Sequence, residues 1–264
     1  MIDSHAHCDS GKFSDDRHAM VERAWEAGLS HVVQIAMVPD HARALRLAEQ
    51  WRGRIRVAAG VHPHDSAQWS DDTEVALRDA LSHDMVTALG EIGLDWFRNY
   101  APKEVQETCF RRQLEIAQEF NLPFVLHCRD AYDDCVRIIR EVLGDRAAPV
   151  AADARPTGVA HCFSGDTQQG RDFIDCGMLL SFAGQLTYDK STALRDAAAA
   201  TDTVHCMVET DCPYLTPVPH RGKRNEPAFV VHTAQCLADL QGKPVAEVDR
   251  ITSANAVRMF RLPV

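Results

Sequence analysis

Short apolar runs recur along the chain, separated by stretches long enough to hold a helix. MIDSH, HVVQIAMV, RIRVAAGVH, MVTALGEIG, PFVLHC, TGVAHC, GMLLSF and VHCMVET read as eight strands. Between most of them the apolar spacing lengthens to three and four residues. In SDDRHAMVERAWEAG, Ser14 is placed as an N-cap, acidic residues follow it, Met20, Val21, Ala24 and Trp25 share a face, and Gly28 stops the helix. The pattern is clearest in PKEVQETCFRRQLEIAQEFN, where Val105, Cys109, Phe110, Leu114 and Ala117 predict a buried stripe. DHARALRLAEQW, TEVALRDAL, YDDCVRIIREVLG and TALRDAAAA supply most of the remaining alternation.

Strands alternating with helices predict an α/β fold with a parallel sheet. Eight of them in 264 residues point to a (β/α)8 TIM barrel, with a doubly wound open sheet as the alternative. A polar, proline-rich loop, DCPYLTPVPHRGKRNEP, follows the eighth run, and FVVHTAQCLADL and VDRITSANAVRMF then read as helices. No linker, repeat or low-complexity segment divides the chain, so residues 1–264 are expected to form a single domain.

Hydrophobic residues at 45% and charged residues at 25% are ordinary values for a folded globular protein. The formal net charge of -10 argues against a broad electrostatic footprint for nucleic acid, so any phosphate binding must be local. No apolar run approaches the roughly 20 residues that span a bilayer, and candidate ligands beginning at His5 leave no room for a cleavable signal; no membrane partner and a cytoplasmic location are expected. Nine cysteines without a CxxC pair read as free thiols. Cys8, Cys128, Cys162 and Cys212 each follow a candidate ligand, which on a strand would turn them to the opposite face as small packing residues.

The candidate chemistry sits at the ends of the strands. His5 and His7 are two apart and so point the same way on a strand. His62 ends the third run, Glu91 lies near the end of the fourth, His127 and His161 end the fifth and sixth, and Asp211 follows the eighth. A barrel carries its active site at these ends. Burying so many imidazoles and carboxylates at one mouth is costly unless they are partnered, and a metal site removes that cost.

MIDSHAH, GVHPHD, ALGEIGLDW, PFVLHCRDA, AHCFSG and VETDCPYLTP, in this order, closely resemble the signatures of the TatD family of metal-dependent hydrolases. The likeness continues through RGKRNEP, and SANAVRMF resembles the family's closing helix. It implies a barrel related to the amidohydrolases and a divalent-metal-dependent deoxyribonuclease. Carried over, His5, His7, Glu91 and Asp211 hold one metal, and Glu91, His127 and His161 hold a second.

Two cations a few ångströms apart suit in-line displacement at phosphorus, and zinc, manganese and magnesium all fit the mixed donor set. Asp211 is the candidate general base, Glu91 the bridging carboxylate, and Glu209 either a second acid in the mouth or a partner of a ligand. Substrate contacts are expected from His62 and His64, from Arg129, and from Arg221, Lys223 and Arg224 on the loop after the eighth strand, while Trp96 and Phe97 are candidates for base stacking. The expectation is a two-metal 3′-5′ exonuclease acting on single-stranded DNA ends without sequence specificity and without an obligate protein partner. The alternatives are a deacylase on the same metals, such as a D-aminoacyl-tRNA deacylase, and a scaffold whose metals only hold the fold.

Overall fold

A computed structural model of the chain describes residues 1–151 and 153–263. Strands and helices alternate in the order β1 (Ile2–Ala6), α1 (Arg17–Glu26), β2 (His31–Met37), α2 (Ala42–Gln50), β3 (Ile55–Gly60), α3 (Asp71–Leu81), β4 (Val86–Asp95), α4 (Lys103–Glu119), β5 (Phe124–Arg129), α5 (Tyr132–Leu143), β6 (Gly158–Ala160), α6 (Thr167–Asp175), β7 (Met178–Phe182), α7 (Thr192–Ala200), β8 (Cys206–Val208), α8 (Val230–Gln241) and α9 (Val245–Phe260). The strands form one eight-stranded sheet in sequence order, every neighbouring pair parallel, which is the (β/α)8 barrel. β8 meets β1 at the strand ends. There the His7 amide donates to the Cys212 carbonyl at 2.9 Å and the Asp211 amide to the His5 carbonyl at 3.0 Å. Closure of the barrel therefore brings His5, His7 and Asp211 together.

Two apolar layers hold this frame. Ile2, Val33, Ile35, Ala58, Val125, Val159, Leu179 and Met207 are buried with Ala256, Met259 and Phe260 of α9. Asn255 of α9 donates to the carbonyls of Thr203, Val204 and Cys206, which lead into β8, so α9 covers the end of the barrel opposite the strand C-termini. A second, larger layer packs the outer strand faces against the helices.

Local readings that differ have local causes. Ser14 does not cap α1: its hydroxyl donates to the Gly11 carbonyl and closes a 3-10 turn, while α1 starts after Asp16. Val105 is 36% exposed and lies outside the α4 core stripe, which Cys109, Phe110, Leu114 and Ala117 do form. The helix α6 escapes the apolar pattern because only Gly170 and Phe173 are buried on it. Its signature is a reciprocal cap between Asp166 and Gln169. All nine cysteines are free, and Cys8 and Cys212 are buried packing residues. Cys162 is not turned away from the mouth. It lies just past β6 with φ +47, its thiol accepts from Gln185, and burial together with the nearby Asp211 and Glu209 carboxylates pushes that thiol's pKa up.

Candidate metal centre

Glu91 is the hub of the mouth and is almost fully buried. Its two oxygens face different partners. Oε2 lies 3.4 Å from His5 Nε2 and 3.9 Å from His7 Nε2, whereas Oε1 lies 2.7 Å from both His127 Nδ1 and His161 Nε2. Asp211 Oδ1 completes the first group, 3.3 Å from His7 Nε2 and 3.7 Å from His5 Nε2, and the two imidazole nitrogens are 3.4 Å apart. Ligand atoms about 2.1 Å from one tetrahedral cation stand about 3.4 Å from each other. The spacing of His5, His7 and Asp211 thus fits a divalent ion, with Glu91 Oε2 beside the two imidazoles, and the imidazole and carboxylate donors are of the right type. His127 and His161 converge on the other oxygen of Glu91, 3.5 Å apart.

The charges are mutually supporting. Burial works to raise Glu91, but the His161 and His62 rings and the hydrogen bonds from His127 and His161 outweigh it and hold the carboxyl well below its usual range. Asp211 is likewise lowered, burial being overcome by His7 and His5. Asp3 fastens the arrangement from behind: fully buried, it accepts from the amide and hydroxyl of Thr210 at 2.9 and 2.6 Å, tying β1 to the segment that carries Asp211.

Two acids reach the histidines from outside this set. Glu209, fully buried, accepts from His161 Nδ1 at 3.2 Å and from the Cys162 amide at 2.8 Å. Asp95 accepts from His127 Nε2 at 3.3 Å, from His64 Nε2 at 2.7 Å and from the amides of Phe97 and Arg98. The sequence reading missed Asp95, although an aspartate ending GEIGLD carries the same signal as the other strand-end residues. His62, His64 and His127 also come within ligand distance of one another. However, His62 Nδ1 accepts from the His64 amide at 3.1 Å, which leaves the ring proton on Nε2, and burial pushes the ring's pKa down to about 4. A neutral ring with an Nε2–H is a hydrogen-bond donor, not a metal ligand through that atom.

The TatD related DNase family model matches residues 2–261. The chain belongs to the TatD family of metal-dependent hydrolases. Similar proteins include the metal-dependent hydrolase YabD of Bacillus subtilis, 33% identical over 263 residues and 99% of each chain. The 3′-5′ ssDNA/RNA exonuclease TatD of Pectobacterium parmentieri is 33% identical over 99% of this chain and all of the relative. The crystal structure of the TatD homologue YjjV from Escherichia coli superposes with a TM-score of 0.90 at 30% identity, covering 100% of this chain and 98% of that one. The protein is a hydrolase of phosphodiester or ester bonds, and His, Glu and Asp groups able to hold metal stand at its mouth.

Around this TatD centre the basic residues separate. Arg224 is committed internally, its guanidinium gripping both oxygens of Asp16 at 2.7 Å and the Lys12 carbonyl at 2.9 Å. It pins the loop after β8 to the β1–α1 segment. Arg221 and Lys223 carry no ion pair among the described residues; Arg221 lies over the Tyr188 ring. Arg129 lies 4.1 Å over Phe97. Trp96 is spoken for, its Nε1 donating to Asp134 and Lys103 lying over its ring.

Arg224, with Arg23, holds the Asp16 carboxyl down at about 2. A depressed carboxylate stabilises the fold above its unfolded pKa of about 4 and loses that contribution as pH falls through its folded value. Asp16→Asn is therefore expected to cost up to about 1 kcal/mol at pH 6 and to converge on the parent as pH drops from about 4 to 2. Melting curves at several pH values check this, with limited proteolysis of the 212–226 loop as a second reading.

Proposed function

We propose that this chain removes nucleotides from the 3′ ends of single-stranded nucleic acid, DNA foremost, with two divalent cations that His5, His7, Asp211, His127, His161 and the Glu91 carboxylate would hold. The observation that carries the reading is the split of the Glu91 carboxylate, one oxygen towards His5 and His7 and the other towards His127 and His161. The printed activity of similar exonucleases supports the substrate class. When bound, divalent cations supply Lewis acidity, acidifying water and neutralising phosphoryl charge.

The chain supplies the rest. Asp211, beside the His5 and His7 nitrogens, orients the attacking water and takes its proton. His62 Nε2–H, which lies 3.3 Å from both Glu91 Oε1 and His127 Nδ1, is the donor offered to a non-bridging phosphoryl oxygen. His64, steadied by Asp95, reaches the same phosphate, and Arg129 and Arg221 add charge at the rim where the global charge is negative. Chelated protein should leave 3′-extended, 5′-labelled single strands intact, and restoring magnesium, manganese or zinc should yield a ladder shortening from the 3′ end. Release of amino acid from D-aminoacyl-tRNA with intact DNA would move the reaction to a carbonyl carbon.

Glu209 accepts the hydrogen bond from His161 Nδ1–H, so Nε2, which faces Glu91 Oε1 at 2.7 Å, is the ring atom that would ligate. Glu209→Gln is expected to lower metal affinity about 10- to 100-fold while the chain stays folded. Metal titration followed by calorimetry measures it; unchanged affinity would remove Glu209 from this role.

A further inference from the structure

Among the described residues, six large hydrophobic side chains are exposed: Val75, Phe97, Tyr100, Val105, Tyr214 and Val218. Four of them stand on two loops at the mouth, Phe97 and Tyr100 between β4 and α4, Tyr214 and Val218 between β8 and α8. In a closed ring of eight strands, β4 and β8 are on opposite sides. The tyrosines terminate a row of rings that crosses the mouth: Tyr214 to His7 6.4 Å, His7 to His5 5.2 Å, His5 to His161 3.8 Å, His161 to His127 5.6 Å, His127 to His64 5.9 Å, and His64 to Tyr100 4.8 Å between centroids. The candidate ligands thus lie between two exposed aromatic walls.

These rings do little for folding. Tyr100 is 66%, Phe97 55% and Tyr214 51% exposed, and no hydrogen bond engages either tyrosine hydroxyl among the described residues. Yet Tyr214 is held in place. Its amide donates to the Asp211 carbonyl at 3.0 Å, and the buried Asn225 donates to its carbonyl and to that of Thr210. Each wall also carries a cation, Lys12 Nζ 4.5 Å over Tyr214 and Arg129 4.1 Å over Phe97. Rings on fixed backbone beside cations are the chemistry that binds unpaired bases and their phosphates. A chain of net charge -10 gains little from long-range attraction to nucleic acid, so stacking must carry more of its affinity.

We propose, resting on the phosphodiesterase reading above, that Tyr214 and Tyr100 form a two-sided clamp that stacks the bases on either side of the scissile phosphate. Phe97 extends the Tyr100 wall. The clamp demands unpaired bases on both sides of the bond, and is indifferent to their identity because every base presents a π-face.

The test uses oligodeoxynucleotides with 2-aminopurine at the 3′-terminal or the penultimate nucleotide, bound to metal-loaded Asp211→Asn protein so that the strand survives. Stacking quenches the fluorophore. Quenching is expected at both positions, with Tyr214→Ala relieving one and Tyr100→Ala the other. Each should weaken binding about tenfold, and Tyr→Phe at the same position should restore it. In the cleaving enzyme each alanine variant should raise KM about tenfold on ordinary single strands, and change nothing on a strand made abasic at the matching nucleotide. Unchanged quenching and KM in both variants, with the parent still cleaving single strands, would overturn the clamp alone. A parent that cleaves no phosphodiester would overturn the underlying function instead.

Discussion

Asp211→Asn is expected to leave the barrel folded and to lower kcat on single-stranded DNA by about 10³-fold or more. The substitution keeps the size of the side chain and one oxygen donor, but removes the negative charge and the basic lone pair. Asp211 stands 3.3 Å from His7 Nε2 and 3.7 Å from His5 Nε2, on backbone of φ +53 that its amide bond to the His5 carbonyl helps to hold. Nothing in that support depends on the carboxylate's charge. Single-turnover rates at saturating metal, together with measured metal content and a thermal melt, separate a missing base from a missing cation or a misfolded chain. Turnover near the parent's would take Asp211 out of the catalytic role.

Gly93→Ala is expected to destabilise the protein by about 3 kcal/mol or more. Gly93 has φ +140, where L side chains are strained, and a Cβ there would stand 2.0 Å from the His127 carbonyl oxygen and 2.9 Å from Leu126 Cδ1. The obstacle is the backbone of β5, paired with β4 at this position, so the two strands must part. Because β4 carries Glu91 and β5 carries His127, metal binding should fall along with stability. Gly222→Ala is the control: φ is +88 but no atom lies within 4 Å of its Cβ, so it bears only the conformational cost of about 1 kcal/mol. Denaturant unfolding of the two variants measures the difference, and a Gly93→Ala protein as stable as Gly222→Ala would refute the close approach.

The barrel was legible because its pattern is local. Eight apolar runs and the helices between them answer to periodicity, which each segment displays by itself; α6 was missed for the same reason, since a helix that buries one glycine and one phenylalanine has almost no stripe to display. Cys162 shows where periodicity misleads. Strand alternation turns it outward, but β6 ends at Ala160, and a left-handed backbone two residues later returns its thiol to the carboxylates.

At the mouth, the sequence by itself determined the residue types: histidines and acids at equivalent ends of distant strands, and the motifs that resemble one hydrolase family. Only the tertiary structure decided how they divide the work. The two faces of Glu91 belong to different histidine pairs, His62 is a donor because its own turn sets its tautomer, and Asp95 enters as the partner of His64 and His127. Arg224 is paired with Asp16 rather than free on its loop, and Tyr100 and Tyr214 stand exposed at the mouth. The physical reason is the same in each case: which proton, which oxygen and which ring face is free depends on neighbours dozens to hundreds of residues away, brought into contact only when the sheet closes.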